Sequence, residues 1–245
     1  MNLKVIGTGS KGNSYILEND NEALLIECGV NVQSIKQALN FNVSKVCGCL
    51  VTHEHQDHAK SIADLMKLGI NVYASKGTFA ALEIKNHRAI SMENKKAFAI
   101  GSFTIMPFDV HHDAAEPFGF IIKHNDCGNV LFLTDTFYCA YTFNNIHNVI
   151  IEANYSKKII DKKFGAESGL EFLRNRILKS HLSLENCLTT LSANDLSKVN
   201  NIVLIHLSDS NSNEIEFKEA VETATGKTVT VASNGISLNF NKTPF

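Results

Sequence analysis

Apolar residues recur along this chain in short runs closed by Gly, Asn or Asp, and between several runs the spacing lengthens to that of a helix. The opening predicts strands over 3–7, 14–19 and 22–28, then a helix over 31–39 with Asn31 placed to cap it. Residues 46–52, VCGCLVT, are apolar without alternation, the pattern of a strand buried on both faces. A helix over 59–68, a strand over 70–75 and a helix over 76–84 follow. Strands return over 103–108, 118–123, 129–134 and 148–153. The last third reads as helices over 169–180 and 183–193, a strand over 202–205, a helix over 214–225, and strands over 228–232 and 236–240. No linker, low-complexity stretch or long charge run divides the chain. The expected organisation is one domain over 1–245, with sheet layers flanked by helices.

Composition narrows the class. With 245 residues, 44% hydrophobic and 20% charged, the chain can bury a sizeable core. A net charge of −2 excludes a polycation, so any nucleic-acid contact must come from a local patch. The opening MNLKVIGTG has no basic segment followed by an apolar core, and no apolar run approaches membrane-spanning length; both point to a cytoplasmic protein with no membrane partner. Six cysteines without a Cys-x-x-Cys pair read as buried, reduced thiols.

The chemistry concentrates in VTHEHQDHAKS, residues 51–61, directly after the doubly buried strand. His53 and His55, two apart in an extended or tight turn, face the same way, as two ligands of one metal must. Asp57 and His58 fall in the next turn and can face a second metal. Imidazole and carboxylate donors suit zinc, manganese or iron. Two metals need further ligands, and three other strand ends offer them. His111 or His112 follows a strand in MPFDVHHDAAEP, Asp135 ends one in NVLFLTDT, and His206 ends one in NIVLIHLS. Spacing alone does not choose between His111 and His112.

The order H-x-H-x-D-H, His, Asp, His resembles the metallo-β-lactamase fold superfamily along the whole chain. Within it, GTGSKGNSYILE, HDAAEPFGF, LTDT, IIEANYS, HLSLEN and HLSDSN resemble the small cytosolic hydrolases of the YycJ/WalJ type. The resemblance implies an α/β (α+β) architecture, a four-layer αβ/βα sandwich with a dinuclear metal site between its sheets. It implies that His53, His55 and His112 hold one metal, Asp57, His58 and His206 the other, and that Asp135 bridges them. It departs from the family pattern at Ser61, where Gly is common, and at Glu27, where an Asp usually stands. Neither is an implied ligand, so the expected effect is a shift in geometry or affinity. Zinc β-lactamases of this fold carry Cys at one metal position and the flavin-dependent di-iron relatives carry Glu where this chain has His55, which disfavours β-lactam and redox chemistry. The chain is too short for the inserted domain of the RNA-cleaving β-CASP branch.

Asp57 and His181 are the candidate catalytic residues, Asp57 doubling as a metal ligand. HLSLEN (181–186) and HLSDSN (206–211) share a pattern, but their flanks RILK and IVLI do not, so they are not a duplication. His181 lies between two predicted helices, with Ser183 placed to cap the second; it either approaches the substrate to bind phosphate or protonate a leaving oxygen, or simply packs the junction. The turn GTGSKGNS lacks phosphate-loop spacing and reads as a tight turn with Ser10 or Asn13 near the site. Between 157 and 179, seven basic residues (Lys157, Lys158, Lys162, Lys163, Arg174, Arg176, Lys179) face three acidic ones (Asp161, Glu167, Glu171), a local charge of +4 that leaves −6 elsewhere. This segment is either a solvated helix face or a track for a phosphate backbone.

Two divalent ions sharing a hydroxide suit phosphodiester hydrolysis. The reading is therefore a metal-dependent phosphodiesterase acting on nucleic acid, a DNA exonuclease by resemblance. A small-molecule hydrolase of cyclic phosphodiesters, thioesters or lactones is the alternative within the same class. A metal-binding regulatory protein without turnover is the alternative outside it, and the complete ligand set argues against that.

Overall fold

The computed structural model describes residues 1–164 and 171–244. The chain first lays down β1 (Asn2–Gly7), β2 (Ser14–Glu18), β3 (Ala23–Ile26), α1 (Val32–Ala38), β4 (Val46–Leu50), α2 (Gln56–Ala59), α3 (Ile62–Lys67), β5 (Val72–Ser75), α4 (Lys76–Ala81) and β6 (Ala89–Met92). It continues with β7 (Phe98–Ile100), β8 (Phe103–Asp109), β9 (Phe118–His124), β10 (Gly128–Leu133), β11 (Ile146–Glu152), α5 (Lys157–Lys163), α6 (Glu171–Ser180), α7 (Leu184–Ser192), β12 (Asn201–Ile205), α8 (Glu214–Thr225), β13 (Thr228–Val231) and β14 (Ser237–Asn239). Two seven-stranded sheets result, in the orders β14-β1-β2-β3-β4-β5-β6 and β13-β12-β11-β10-β9-β8-β7. In each sheet one part is antiparallel and the other parallel, β3 to β6 in the first and β10 to β13 in the second.

The unbroken apolar runs make sense once each strand is split by the period of two. Leu24 and Ile26 of β3, Leu50 of β4, Val130 and Phe132 of β10, Ile150 of β11 and Val203 and Ile205 of β12 all enter the core between the sheets. Their neighbours turn outward. Leu25 and Cys49 pack under α1, α3 and α4 against Ile35, Leu65 and Phe79. Leu131, Leu133, Val149, Ile151 and Leu204 pack under α7 and α8 against Leu191, Phe217 and Val221. Both strand faces are dry, so alternation disappears from the sequence, and the layers are helix, sheet, sheet, helix. At about 1.5–3 kcal/mol for each fully buried large aliphatic or aromatic side chain, these three clusters dominate the folding drive.

Several expectations need correction. The helix expected over 59–68 is two helices, because Ser61 donates its N–H to Cys28 O (2.9 Å) and its hydroxyl to Val30 O (2.6 Å). Those bonds bend the chain between α2 and α3. Strands β6 and β7 were not expected: they are short, and apart from Met92 and Ile100 their residues are only partly buried or exposed. Helix α5 shows no apolar period, since Ile160 is its one buried residue. Of the helix expected over 169–180, residues 169–170 lie outside the described residues. Ser183 does cap α7, accepting from Asn186 N. All six cysteines are free, but Cys47 is only half-buried.

Candidate metal centre

The parallel strands of both sheets end at the same edge of the sandwich, the edge where open α/β sheets place ligands. The loop after β4 carries His53, His55, Asp57 and His58. It is clamped against the two turns beside it. Asn13 N donates to Asp57 O (2.7 Å) and Cys28 N to His58 O (2.8 Å). Gly29 lies so close that a Cβ there would sit 1.7 Å from Asp57 O, so only glycine fits. From the second sheet, β10 delivers Asp135, β11 delivers Glu152 and β12 delivers His206. The loop after β8 delivers His112, and Glu54 steadies that loop by accepting from Ala115 N (2.7 Å).

Three residues at these strand ends hold left-handed backbone without being glycine: Glu27 (φ 63°), Asp135 (φ 47°) and His206 (φ 55°). Each such residue costs on the order of 1–3 kcal/mol, which the surrounding packing offsets. The turn aims each side chain across the strand end, toward the gap between the sheets.

The side chains converge in overlapping groups, two of which share no residue, while Asp135, Glu152, His181 and His206 form a further one. The donor atoms of His53, His55 and His112 lie within 4.8 Å of one another, as do those of Asp57, His58 and His206. Asp135 stands between, its Oδ2 3.1 Å from His58 Nε2, and it forms a close group with His53 and His58. His111 stays outside the cluster, exposed and 5.4 Å from the Phe137 ring.

Hydrogen bonds fix how the rings face. His112 Nδ1 is 2.8 Å from Ser180 O; a carbonyl only accepts, so Nδ1 carries the proton and the Nε2 lone pair faces His55 Nδ1, 3.1 Å away. His58 Nδ1 lies 3.5 Å from Glu27 Oε1 without a hydrogen bond, whereas His206 Nδ1 donates to Glu152 Oε1 (3.0 Å), leaving its Nε2 inward. Acceptors behind metal-bound imidazoles do this. His53 Nε2 and His206 Nε2 are buried without a hydrogen-bond partner, an arrangement that is costly unless something else fills the centre. The donors are nitrogen and carboxylate oxygen, a fit for zinc or manganese. Glu27 thus stands behind the His58 ring, and Ser61 ties the motif to the Val30 turn.

The two groups differ electrostatically in the metal-free chain. Burial, then the neighbouring His58, keeps His53 well below the usual histidine range, and burial lowers His112. In the other group burial opposes charge, but the Asp135 and Glu27 carboxylates hold His58 well above it. Asp135, Asp57 and Glu152 together push His206 up to about 9. Asp57 is lowered despite burial by the adjacent His206 and His58 rings, 3.5 and 3.4 Å from its Oδ2.

His181 stands beside the cluster, at the junction of α6 and α7. Its Nδ1 is 2.8 Å from Glu152 Oε1 and 3.2 Å from Asp135 Oδ1. Burial alone would lower its pKa, but Glu152 and Asp135 raise it to about 10. A cavity of about 480 Å³ opens over the cluster, lined by His55, Asp57, His112, Asp135, His181 and His206. Ser10 joins its wall, and Asn13 Nδ2 is 3.2 Å from His58 Nε2. From the basic segment, Arg176 reaches the cavity wall, and Lys163 Nζ bonds Ser210 Oγ (2.7 Å) and Asn211 Oδ1 (3.1 Å) on it. Arg174 is paired with Asp161 (2.7 Å), and Glu167 lies outside the described residues. Glu152 is the functional residue that sequence reasoning passed over, although it ends a strand just as Asp135 and His206 do.

The family model of the beta-lactamase superfamily domain matches residues 22–207. The chain is 28% identical to exodeoxyribonuclease WalJ of Streptococcus pneumoniae, over 96% of this chain and 91% of the relative. It is also 28% identical to exodeoxyribonuclease YycJ of Bacillus anthracis, over 88% and 86%. Among solved structures, the metallo-beta-lactamase fold protein YhfI from Bacillus subtilis aligns with a TM-score of 0.71 at 15% identity, covering 97% of this chain and 98% of that one. Sheets, cluster and family match agree: the chain belongs to the beta-lactamase superfamily, has the metallo-β-lactamase fold, and brings residues that could hold a divalent metal together where the two sheets meet.

Proposed function

We propose that this protein is a two-metal phosphodiesterase acting on DNA, an exonuclease by type. His53, His55 and His112 hold one divalent ion, Asp57, His58 and His206 the other, and Asp135 bridges them; zinc or manganese fits the donors. The observation that carries this reading is the pair of ligand groups sharing Asp135 on the floor of a cavity, with His181 on its wall. The curated relatives named exodeoxyribonucleases support DNA as the substrate. Ligands drawn from both sheets support a single domain over 1–245. On this reading the protein works in the cytoplasm, beside its substrate. No helix among the described residues is long and apolar enough to cross a membrane.

Divalent ions held by these residues would polarise the scissile phosphoryl group and acidify the attacking water. The chain supplies the rest. Asp57, lining the cavity and held ionised, accepts a hydrogen bond from that water and orients it. His181, charged at neutral pH with Nδ1–H fixed on Glu152, offers Nε2–H to the leaving oxygen. The cavity also falls in the size range of small-ligand sites, roughly 300–1,000 Å³, which keeps a small-molecule hydrolase as the second reading.

Metal analysis followed by a substrate panel tests the proposal. Two metal equivalents per chain and nucleotide release from linear DNA are expected, with less from RNA, a cyclic dinucleotide or a thioester. Thioester turnover without nucleotide release overturns it.

A further inference from the structure

Helix α6 forms part of the cavity wall through Arg176, Ile177 and Ser180, and its geometry says what lies along the route in. Ser180 is at the inner end, its carbonyl accepting from His112 Nδ1. Arg176 and Phe172 follow at steps of four residues on the same helix face, about 6 and 12 Å further out along the axis. The Arg176 guanidinium is loosely held, Nε 3.8 Å from Asp113 Oδ2 and its side chain 64% exposed. Phe172 is 80% exposed, more than any other large hydrophobic residue among the described ones. The apolar neighbours Ile177 and Leu178 pack instead on the small cluster of Tyr155, Ile160 and Phe164. The helix therefore has its own apolar anchor, and Phe172 contributes nothing to it. An aromatic ring left in water beside an arginine, in line with a phosphodiester-cleaving centre, has the two chemistries that an unpaired strand presents: a charged backbone and flat, apolar bases.

We propose that Phe172 is a base-stacking, specificity-determining residue for the DNA strand that enters the cavity, set in register with Arg176, which takes a backbone phosphate. This rests on the nuclease reading above. The bound strand runs along α6 toward the cluster, its scissile phosphate beneath His181 and a base further out lying flat on the Phe172 ring. Stacking tolerates any base because each has a π face, so the residue discriminates nucleic acid from small phosphodiesters without selecting sequence.

The test uses the intact chain loaded with divalent metal and two oligodeoxynucleotides, one complete and one with consecutive abasic sites near its end. The wild-type protein should prefer the complete strand by roughly ten- to a hundredfold in KM, the range that base–aromatic stacking supports. Phe172→Ala should erase most of that ratio, and Phe172→Trp should keep it. The natural sequence has no tryptophan, so Phe172→Trp also gives a single fluorophore, quenched by a nuclease-resistant phosphorothioate strand but not by its abasic counterpart. DNA turnover with the same ratio in wild type and Phe172→Ala, or no quenching in Phe172→Trp, overturns the stacking role and leaves the nuclease reading standing. Absence of DNA turnover by the wild type, with small phosphodiesters still cleaved, overturns both.

Discussion

HLSLEN and HLSDSN begin with histidines that end up on the same atom. Glu152 Oε1 lies 2.8 Å from His181 Nδ1 and 3.0 Å from His206 Nδ1. Everything else about the two segments differs. His206 ends the buried strand β12, in left-handed backbone, with its N–H given to Thr8 Oγ1 (2.9 Å) and its carbonyl held by Asn154 Nδ2 (2.7 Å). It is locked on both sides and turned into the cluster. His181 ends a helix, with its N–H on Ile177 O (3.1 Å) and a quarter of its side chain open to the cavity. The string of letters is shared; the element before it decides whether the ring becomes part of the floor or part of the wall. One carboxylate can then orient a ligand and an acid together.

The largest effects come from breaking the floor. Asp135→Ala removes the residue that stands between the two proposed ligand groups, and should lose both metal cooperativity and activity; activity retained above roughly a tenth of wild type rejects the bridging role. Next comes the comparison itself. His206→Ala should drop metal content toward one per chain, whereas His181→Ala should keep two and lose turnover by roughly 10²–10⁴-fold, the usual worth of a positioned acid. If His181→Ala strips a metal, or leaves rates untouched, the division between floor and wall is wrong. Glu152→Gln sharpens the contrast because it touches both rings. Removing the charge should weaken metal binding by about 10–100-fold, as other outer acceptors do, and lower the pH at which His181 gives up its proton. Metal titration and a pH–rate profile read the two effects separately.

Much of the cluster was legible from order and position along the chain. His53, His55, Asp57 and His58 declare themselves by spacing, and Asp135 and His206 by ending apolar runs. His112 over His111 was not readable from spacing; the fold settles which ring points inward through a backbone carbonyl 68 residues away. Glu152 was hidden for a similar reason: its partners, His181 and His206, are 29 and 54 residues distant, and a glutamate ending a strand looks like a solvated one. The fold layers were readable because burial on both faces leaves unbroken apolar runs. The short edge strands β6 and β7 were not, since partial exposure erases both alternation and continuity. The break at Ser61 depends on hydrogen bonds to Cys28 and Val30, contacts invisible to local propensity.

The difference between the ligand groups predicts a pH dependence of metal loading. His53 and His112 are held below their ordinary range, so they are neutral and ready for metal near pH 7. His58 and His206 are held above it and must release protons to bind. Lowering the pH from about 8 to 6 should therefore empty the Asp57/His58/His206 site first. In the metal-free chain the sign reverses for stability. His206 and His181 rise from an ordinary value of 6.5 to about 9 and about 10 on folding. Their contribution is complete below pH 6.5 and is lost as the pH climbs through 9 and 10. Thermal melts in chelator should fall over that window, and melts with metal should not. Parallel curves would mean that the ion pairs around Asp135 and Glu152 do not hold these protons.

The smallest effect lies furthest from the cluster. Lys162 and Lys163 end α5; Lys162 is exposed, and Lys163 reaches Ser210 and Asn211 on the cavity wall. If they follow a DNA backbone away from the cleaved bond, Lys162→Ala combined with Lys163→Ala should weaken DNA binding several-fold at moderate salt. Each lost phosphate contact flattens the log–log salt slope by about 0.9, so the double variant should lose up to about two units of slope. Hydrolysis of a small phosphodiester, which cannot reach α5, should change little. Lys163 also braces the segment 208–211 that follows His206, and that gives the alternative a distinct signature. If bracing is its role, both substrates lose rate together and the salt slope stays where it was.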